Sequence, residues 1–174
     1  MKKILLILNE LKKKKIIVDY AICGAVATLR WAEPIFTQDL DILVVLPEHI
    51  ERGKILDLSS IYNFLKSMGY SKWIGQWILV ENIPVEFIPA DEISKEAVKK
   101  AARVKFEGVY TKVIKPEYLI VMFLIAGRDK DIMKINLLLR EAKIEMRKLN
   151  SLLKKYGLIK KWNEYVRCGR IEKY

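Results

Sequence analysis

Histidine is almost missing from this chain: His49 is the single one in 174 residues. A mechanism built on an imidazole base therefore has one candidate, and it follows Pro47 and Glu48 in what reads as a loop. Cysteine is nearly as scarce. Cys23 and Cys168 are the only two, and no CxxC or mixed Cys/His cluster occurs. Neither a disulfide framework nor a zinc site is indicated. No internal repeat and no Pro/Gly/Ser-rich linker divides the chain. Long hydrophobic runs are lacking too: the longest, Tyr118 to Gly127, is too short to span a bilayer. The opening MKKILLILNELKKKK mimics a signal peptide, but its apolar run is only Ile4 to Leu8. Asn9 and Glu10 break that run, and no small-residue cleavage site follows. Ile4, Leu8 and Leu11 recur at helical spacing, so an amphipathic first helix and a cytoplasmic protein without membrane association are expected.

Acidic residues are in the minority. Lys and Arg total 32 against 21 Asp and Glu, a formal net charge of +11. Such a balance points to a polyanionic partner such as nucleotides or RNA, or to a lysine-coated solvated surface. Hydrophobic residues make up 52%, enough for one globular core. The division expected is a core over 1–115 and a helical C-terminal extension over 116–174, packed as a single unit.

The pattern along the chain alternates. A first helix over Lys2 to Lys14 is followed by a β-branched strand, IIVDYAICG, ending at Gly24. AVATLRWA has good helix formers and stops before Pro34. DLDILVVLP reads as the next strand. KILDLSSIYNFLKSMG places Ile55, Leu58, Ile61, Leu65 and Met68 on one helical face and ends in Gly69. WIGQWILV and IPVEFIPA read as two strands around Glu81-Asn82. SKEAVKKAA reads as a helix with Ser94 as its N-cap. VKFEGVYTKVI is one strand, or two short ones about Gly108. From Pro116 onward the pattern is helical, with Pro116 in a first turn and Tyr156-Gly157 interrupting the tail. Hairpin-like neighbours among the helices imply a mixed rather than purely parallel sheet.

One stretch carries a chemical signal. In TQDLDILVVL, Asp39 and Asp41 stand two apart at the mouth of an apolar strand, so they point to one face. Like charges so placed repel and are costly to bury. Just before them, Gly24 closes a strand and opens a helix, where free N–H groups favour an anion. A divalent metal reconciles the two features. Mg²⁺ takes one or two carboxylates plus substrate phosphates, and its charge removes the repulsion between the aspartates. Glu86, flanked by Val85 and Phe87 in IPVEFIPA, faces opposite to both. It reaches the same site if its strand pairs beside the aspartate strand, completing a three-acid arrangement for in-line phosphoryl transfer. The alternatives are solvated strand-start aspartates and a surface glutamate paired to lysine.

With these residues in place, CGAVATLRWAEPIFTQDLDILVVL resembles the signature of the DNA polymerase β-type nucleotidyltransferase superfamily: a glycine at a strand–helix turn, D-x-D, and a distant third acid. KPEYLIVMFLIAGRDKDIMKINLLL is similar to a segment of its AbiEii-like and minimal nucleotidyltransferase branches. The resemblance covers about Ile16 to Leu139. It implies an α/β (α+β) fold with a nucleotidyltransferase-like mixed β-sheet flanked by helices and a helical extension. It implies transfer of a nucleoside monophosphate from an NTP, ATP among them, to a hydroxyl of RNA, protein or a small molecule. Mg²⁺ or Mn²⁺ would be the cofactor. Residue by residue, Gly24 and Ala25 correspond to the nucleotide-phosphate pair, and Asp39 and Asp41 to the metal-binding acids. Glu86 corresponds to the third acid, a metal ligand or base, and Arg128 and Asp131 to a downstream block whose aspartate is often structural. Where relatives often carry Ser or Gly, Arg and Lys, this chain has Ala25, Ile35 and Phe123. Arg30, Lys130 and Lys134 are the candidate replacements for the missing charge. Those departures keep two other readings open: a weak or inactive member of the fold that binds nucleotide or RNA, and an antitoxin-like module, as in toxin-antitoxin pairs, that binds a partner protein.

Overall fold

The computed structural model describes residues 1–33, 37, 39–47 and 57–172. Ile35, His49 and Ile55 lie outside the described residues. Helix α1 (Lys2–Lys13) buries Ile4, Leu5, Ile7, Leu8 and Leu11 and ends in Lys12 and Lys13, where cations suit the helix dipole. Strand β1 (Asp19–Ile22), the short helix α2 (Gly24–Thr28) and strand β2 (Leu40–Val45) follow. Next come α3 (Ser59–Ser67), β3 (Trp73–Ile74), β4 (Trp77–Val80), β5 (Ile83–Pro89) and α4 (Glu92–Lys100). β6 (Ala102–Phe106) and β7 (Val109–Val113) form a hairpin about Glu107-Gly108. The chain then turns helical as α5 (Pro116–Ala126), α6 (Asp129–Glu141), α7 (Met146–Lys155) and α8 (Ile159–Arg167).

The seven strands form one mixed sheet in the order β3-β4-β5-β2-β1-β7-β6. β2 runs parallel to β5 and β1 parallel to β7, while the remaining pairs are antiparallel. β2 lies at the centre, and Ile42, Leu43 and Val44 are buried on both of its faces. That double burial accounts for a continuous apolar run rather than an alternating one. α5 is buried nearly all round, from Pro116 through Val121 and again at Phe123 and Leu124. The longest apolar stretch of the sequence is thus a core helix. Among the described residues no helix is long and apolar enough to cross a membrane.

Several sequence expectations shift. WIGQWILV is not one strand: Gly75, at φ +58, and Gln76 turn it into the β3–β4 hairpin. The helix after β4–β5 begins earlier than Ser94. Asp91 is its N-cap and accepts from the Ser94 backbone N–H at 2.8 Å, because a carboxylate also satisfies the dipole. The strand before Gly24 pairs only over Asp19–Ile22, and the helix after it ends at Thr28 rather than reaching Ala32. The Glu81-Asn82 hairpin holds, with both residues in the left-handed region at φ 53 and 61, as a tight two-residue turn demands. Pro116 in the first turn and Gly157 between α7 and α8 also fall where expected.

Candidate active site

β1 and β2 are antiparallel, so the end of one meets the start of the other. Ile22 pairs with Ile42, and the Cys23 N–H donates to the Asp41 carbonyl at 2.9 Å. Gly24 and the aspartates are thereby brought to the same end of the sheet. Gly24 has φ +64, and a Cβ on it would stand 1.9 Å from Oδ2 of Asp41. The glycine is therefore required twice, once by the backbone and once by the carboxylate packed against it. We expect Gly24→Ala to displace the Asp41 side chain and to lower the melting temperature by about 2–8 °C, from a left-handed penalty of roughly 1–2 kcal/mol in a domain of this size. Scanning fluorimetry measures this directly.

On the other side of β2, the parallel register pairs Asp41 with Glu86. Register partners in adjacent strands project to the same face, so these two carboxylates stand side by side. Asp39 precedes the strand, and its Oδ1 accepts from the Thr37 hydroxyl at 2.9 Å. Oε2 of Glu86 accepts from Gln76 Nε2 at 3.0 Å. Burial, then the charges of Asp39 and Glu86, push the Asp41 carboxyl up to about 6, while Lys134 and Lys130 pull the other way.

Asp39, Asp41, Glu86 and Ala25 all line one cavity of about 1080 Å³. Its opposite wall is α6 with its N-cap residue Arg128, and together they supply Arg128, Lys130, Lys134 and Arg140. Asp131 organises this wall. It is fully buried, accepts from Arg128 Nε at 2.5 Å and Nη2 at 3.2 Å, and accepts from Lys134 Nζ at 3.4 Å. The Lys134 ammonium also lies 5.0 Å from the centre of the Phe123 ring. A cation thus stands beside Phe123, delivered from the next helix. Of the candidate replacements, Lys130 and Lys134 reach the cavity, whereas the Arg30 guanidinium lies over the Trp31 ring at 5.0 Å. Glu117, which follows Pro116, is structural. It is buried and accepts from the Glu145 N–H at 3.1 Å and from Lys148 Nζ at 2.9 Å, tying α5 to the start of α7.

Sequence reasoning missed Thr37, Gln76 and the basic wall taken as a set; Trp77, like Trp31, Trp73 and Trp162, reads from sequence as core or rim packing or as a ring that could stack on a base, and it lines the cavity. The spacing of Lys130 and Lys134, four apart on one helix, was the available signal for the wall. Nothing local marks Gln76, which arrives with Trp77 through the β3–β4 turn. Nε1 of Trp77 is buried without a hydrogen-bond partner among the described residues, and Trp77 lines the cavity. The N-terminus of α2 is weaker than expected as an anion site, since that helix has only five residues. Positive charge in the cavity comes from α6 instead.

The donor set suits a hard cation: carboxylates of Asp39 and Asp41 and the Thr37 hydroxyl, all oxygen. The raised Asp41 carboxyl records crowding that such a cation relieves. Among the described residues no group of three acidic, histidine or cysteine side chains is placed to hold a metal ion together. Mg²⁺ needs none, because it keeps water and takes phosphate oxygens alongside one or two carboxylates.

No protein-family model matches the chain, and no curated protein matches it significantly. Among solved structures, the chain is similar to an antigenic nucleotidyltransferase-like protein from Paracoccidioides brasiliensis, at TM-score 0.49 and 15% identity over 95% of this chain and 89% of that one. It is also similar to ANT(2'')-Ia in complex with adenylyl-2''-tobramycin, at TM-score 0.49 and 12% identity over 88% and 95%. A solution structure of the same antibiotic-resistance factor gives TM-score 0.49 and 11% identity over 92% and 96%.

Proposed function

We propose that the chain is a Mg²⁺-dependent nucleotidyltransferase that moves a nucleoside monophosphate from an NTP to a hydroxyl acceptor. One observation supports this above the others: an acidic wall of Asp39, Asp41 and Glu86 faces a basic wall of Arg128, Lys130 and Lys134 across a single cavity. A triphosphate with its metal requires both signs of charge in one place, and a plain anion or cation site requires one.

In this reading Asp39 and Asp41 hold Mg²⁺, which supplies charge neutralisation at the α-phosphate. Arg128, Lys130 and Lys134 receive the β- and γ-phosphates, with the Gly24–Ala25 backbone as the close approach beside them. The acceptor hydroxyl oxygen forms the new bond to the α-phosphorus, and the bond to the bridging oxygen of pyrophosphate breaks. Glu86 takes the hydroxyl proton, and Gln76 holds its carboxylate in orientation. In-line geometry places acceptor and pyrophosphate on opposite sides of the transferred group. The acceptor then lies toward the β3–β4 hairpin, beside Trp77.

The direct test incubates the protein with labelled ATP, GTP, CTP and UTP and Mg²⁺ or Mn²⁺, with RNA and protein acceptors. Covalent label transfer is the expected result. A ligand-linked stability measurement runs beside it. NTP should raise the melting temperature with Mg²⁺ present and do so much less in EDTA, since an occupied site stabilises by mass action. An equal shift with and without metal contradicts the assignment of the acids. A second reading, nucleotide binding without turnover, is favoured by Ala25, which lacks a phosphate-binding hydroxyl, and by the engagement of Glu86 with Gln76. A metal-dependent shift without transfer, in wild type and in Ala25→Ser, selects that reading.

A further inference from the structure

The β6–β7 hairpin carries a charge pattern that the cavity does not use. β6 is an edge of the sheet. In the antiparallel register Arg103 faces Lys112 and Lys105 faces Tyr110, so these four side chains share one face. The Arg103 guanidinium lies 4.4 Å and the Lys105 ammonium 5.6 Å from the centre of the Tyr110 ring. Tyr110 nonetheless remains 52% exposed. Helix α1 closes on the same place. Asn9 Nδ2 donates to the Tyr110 carbonyl at 3.0 Å, and Lys12 and Lys112 share Asp19 at 2.7 and 2.6 Å. Two of the cations, Lys12 and Lys112, are thus paired with one carboxylate, while Arg103 and Lys105 lie against the Tyr110 ring and pair with none of the acids here; Glu107, exposed at the turn, is the hairpin's own acid.

We propose that this face is a docking surface for a single-stranded nucleic-acid segment. The excess of positive charge matches a phosphate backbone, and an exposed ring gripped by cations offers a platform for an unstacked base. An edge strand carries lysines for another reason, to prevent pairing with a second sheet. That purpose calls for charge alone and is not served by exposing Tyr110 amid the charge. The surface is separate from the cavity: none of these residues lines it. β7 meets β1 at Ile22 and Val113, next to Gly24, whereas Tyr110 and Asp19 lie toward the opposite end of those strands. A bound strand therefore leaves the cavity open.

The test is fluorescence polarisation of a labelled twelve-nucleotide single strand, RNA or DNA, against the full chain. It is run in EDTA without NTP, so that its outcome is independent of the cavity's chemistry, and across a range of salt. The wild type should bind, with affinity falling steeply as salt rises. Arg103→Gln with Lys105→Gln should reduce the log–log salt slope by about 1.4, from roughly 0.7 for each phosphate no longer neutralised. Tyr110→Leu should weaken binding about 5- to 150-fold with the slope unchanged, the size of one missing base–aromatic stack. Tyr110→Phe should bind as wild type, and Lys66→Gln with Lys154→Gln should have no effect. Melting curves confirm that each variant is folded. Equal binding by wild type and the hairpin variants overturns the proposal. So does a preference for duplex, or binding to phosphatidylserine vesicles in place of nucleic acid.

Discussion

Asp41→Asn should make the metal-free protein more stable and its transferase activity vanish. The Asp41 carboxyl is pushed from its ordinary 3.8 to about 6 by burial and by Asp39 and Glu86. A folded-state value above the unfolded one means that the folded protein binds more protons between those two pH values. Stability is therefore lost as pH rises through that window. Two pK units correspond to at most about 3 kcal/mol, and relaxation of the partly open site reduces it. The asparagine variant avoids this cost, because it is never charged. In EDTA at pH 7.5 its melting temperature should exceed that of wild type by a few degrees, at about 2–4 °C per kcal/mol. At pH 4 the difference should disappear. Label transfer with Mg²⁺ should fall by at least ~10²–10³-fold, the range seen when one preorganised charge-stabilising group is removed. A less stable variant at pH 7.5, or one that keeps its activity, would contradict the site.

Asp131→Asn should act in the opposite sense on stability. Asp131 is buried without solvent contact and accepts hydrogen bonds from both Arg128 and Lys134. An amide offers no charge and turns its own donors toward two cations. A lost hydrogen bond to a charged group costs roughly 1.5–3 kcal/mol. Arg128 is mostly exposed and can turn to water, whereas Lys134 is nearly enclosed, at 13% side-chain exposure. A fall in melting temperature of about 3–12 °C follows. If Arg128 and Lys134 receive phosphates, KM for the NTP should rise about tenfold or more while kcat changes less. Lys134→Met separates the two effects: it should reproduce the rise in KM without the full loss of stability, since the thioether still packs on Phe123. Loss of stability with unchanged NTP affinity would make Asp131 a helix-end anchor only.

The parts legible from sequence are those decided within a few residues. D-x-D at the mouth of an apolar strand puts two carboxylates on one face whatever the rest of the chain does. Gly24 between a strand and a helix marks a close approach of the backbone, and Glu81-Asn82 between two β-rich runs marks a hairpin. Glu86 is conditional, because alternation states which neighbours it opposes and not which strand lies beside it. The parallel pairing of β2 with β5, across the intervening α3 and the β3–β4 hairpin, decides that it stands next to Asp41. The same holds more strongly for the basic wall. Phe123 in place of a lysine suggests missing charge, yet Lys134 lies over that very ring, brought there by the turn between α5 and α6 and held by Asp131. Local propensity and pattern act along the chain, over one turn of helix or one step of strand. The environment of a charge is set by whatever side chains the packing brings within a few ångströms, from Gln76 to Lys134, and those separations exist only once the sheet has closed around β2.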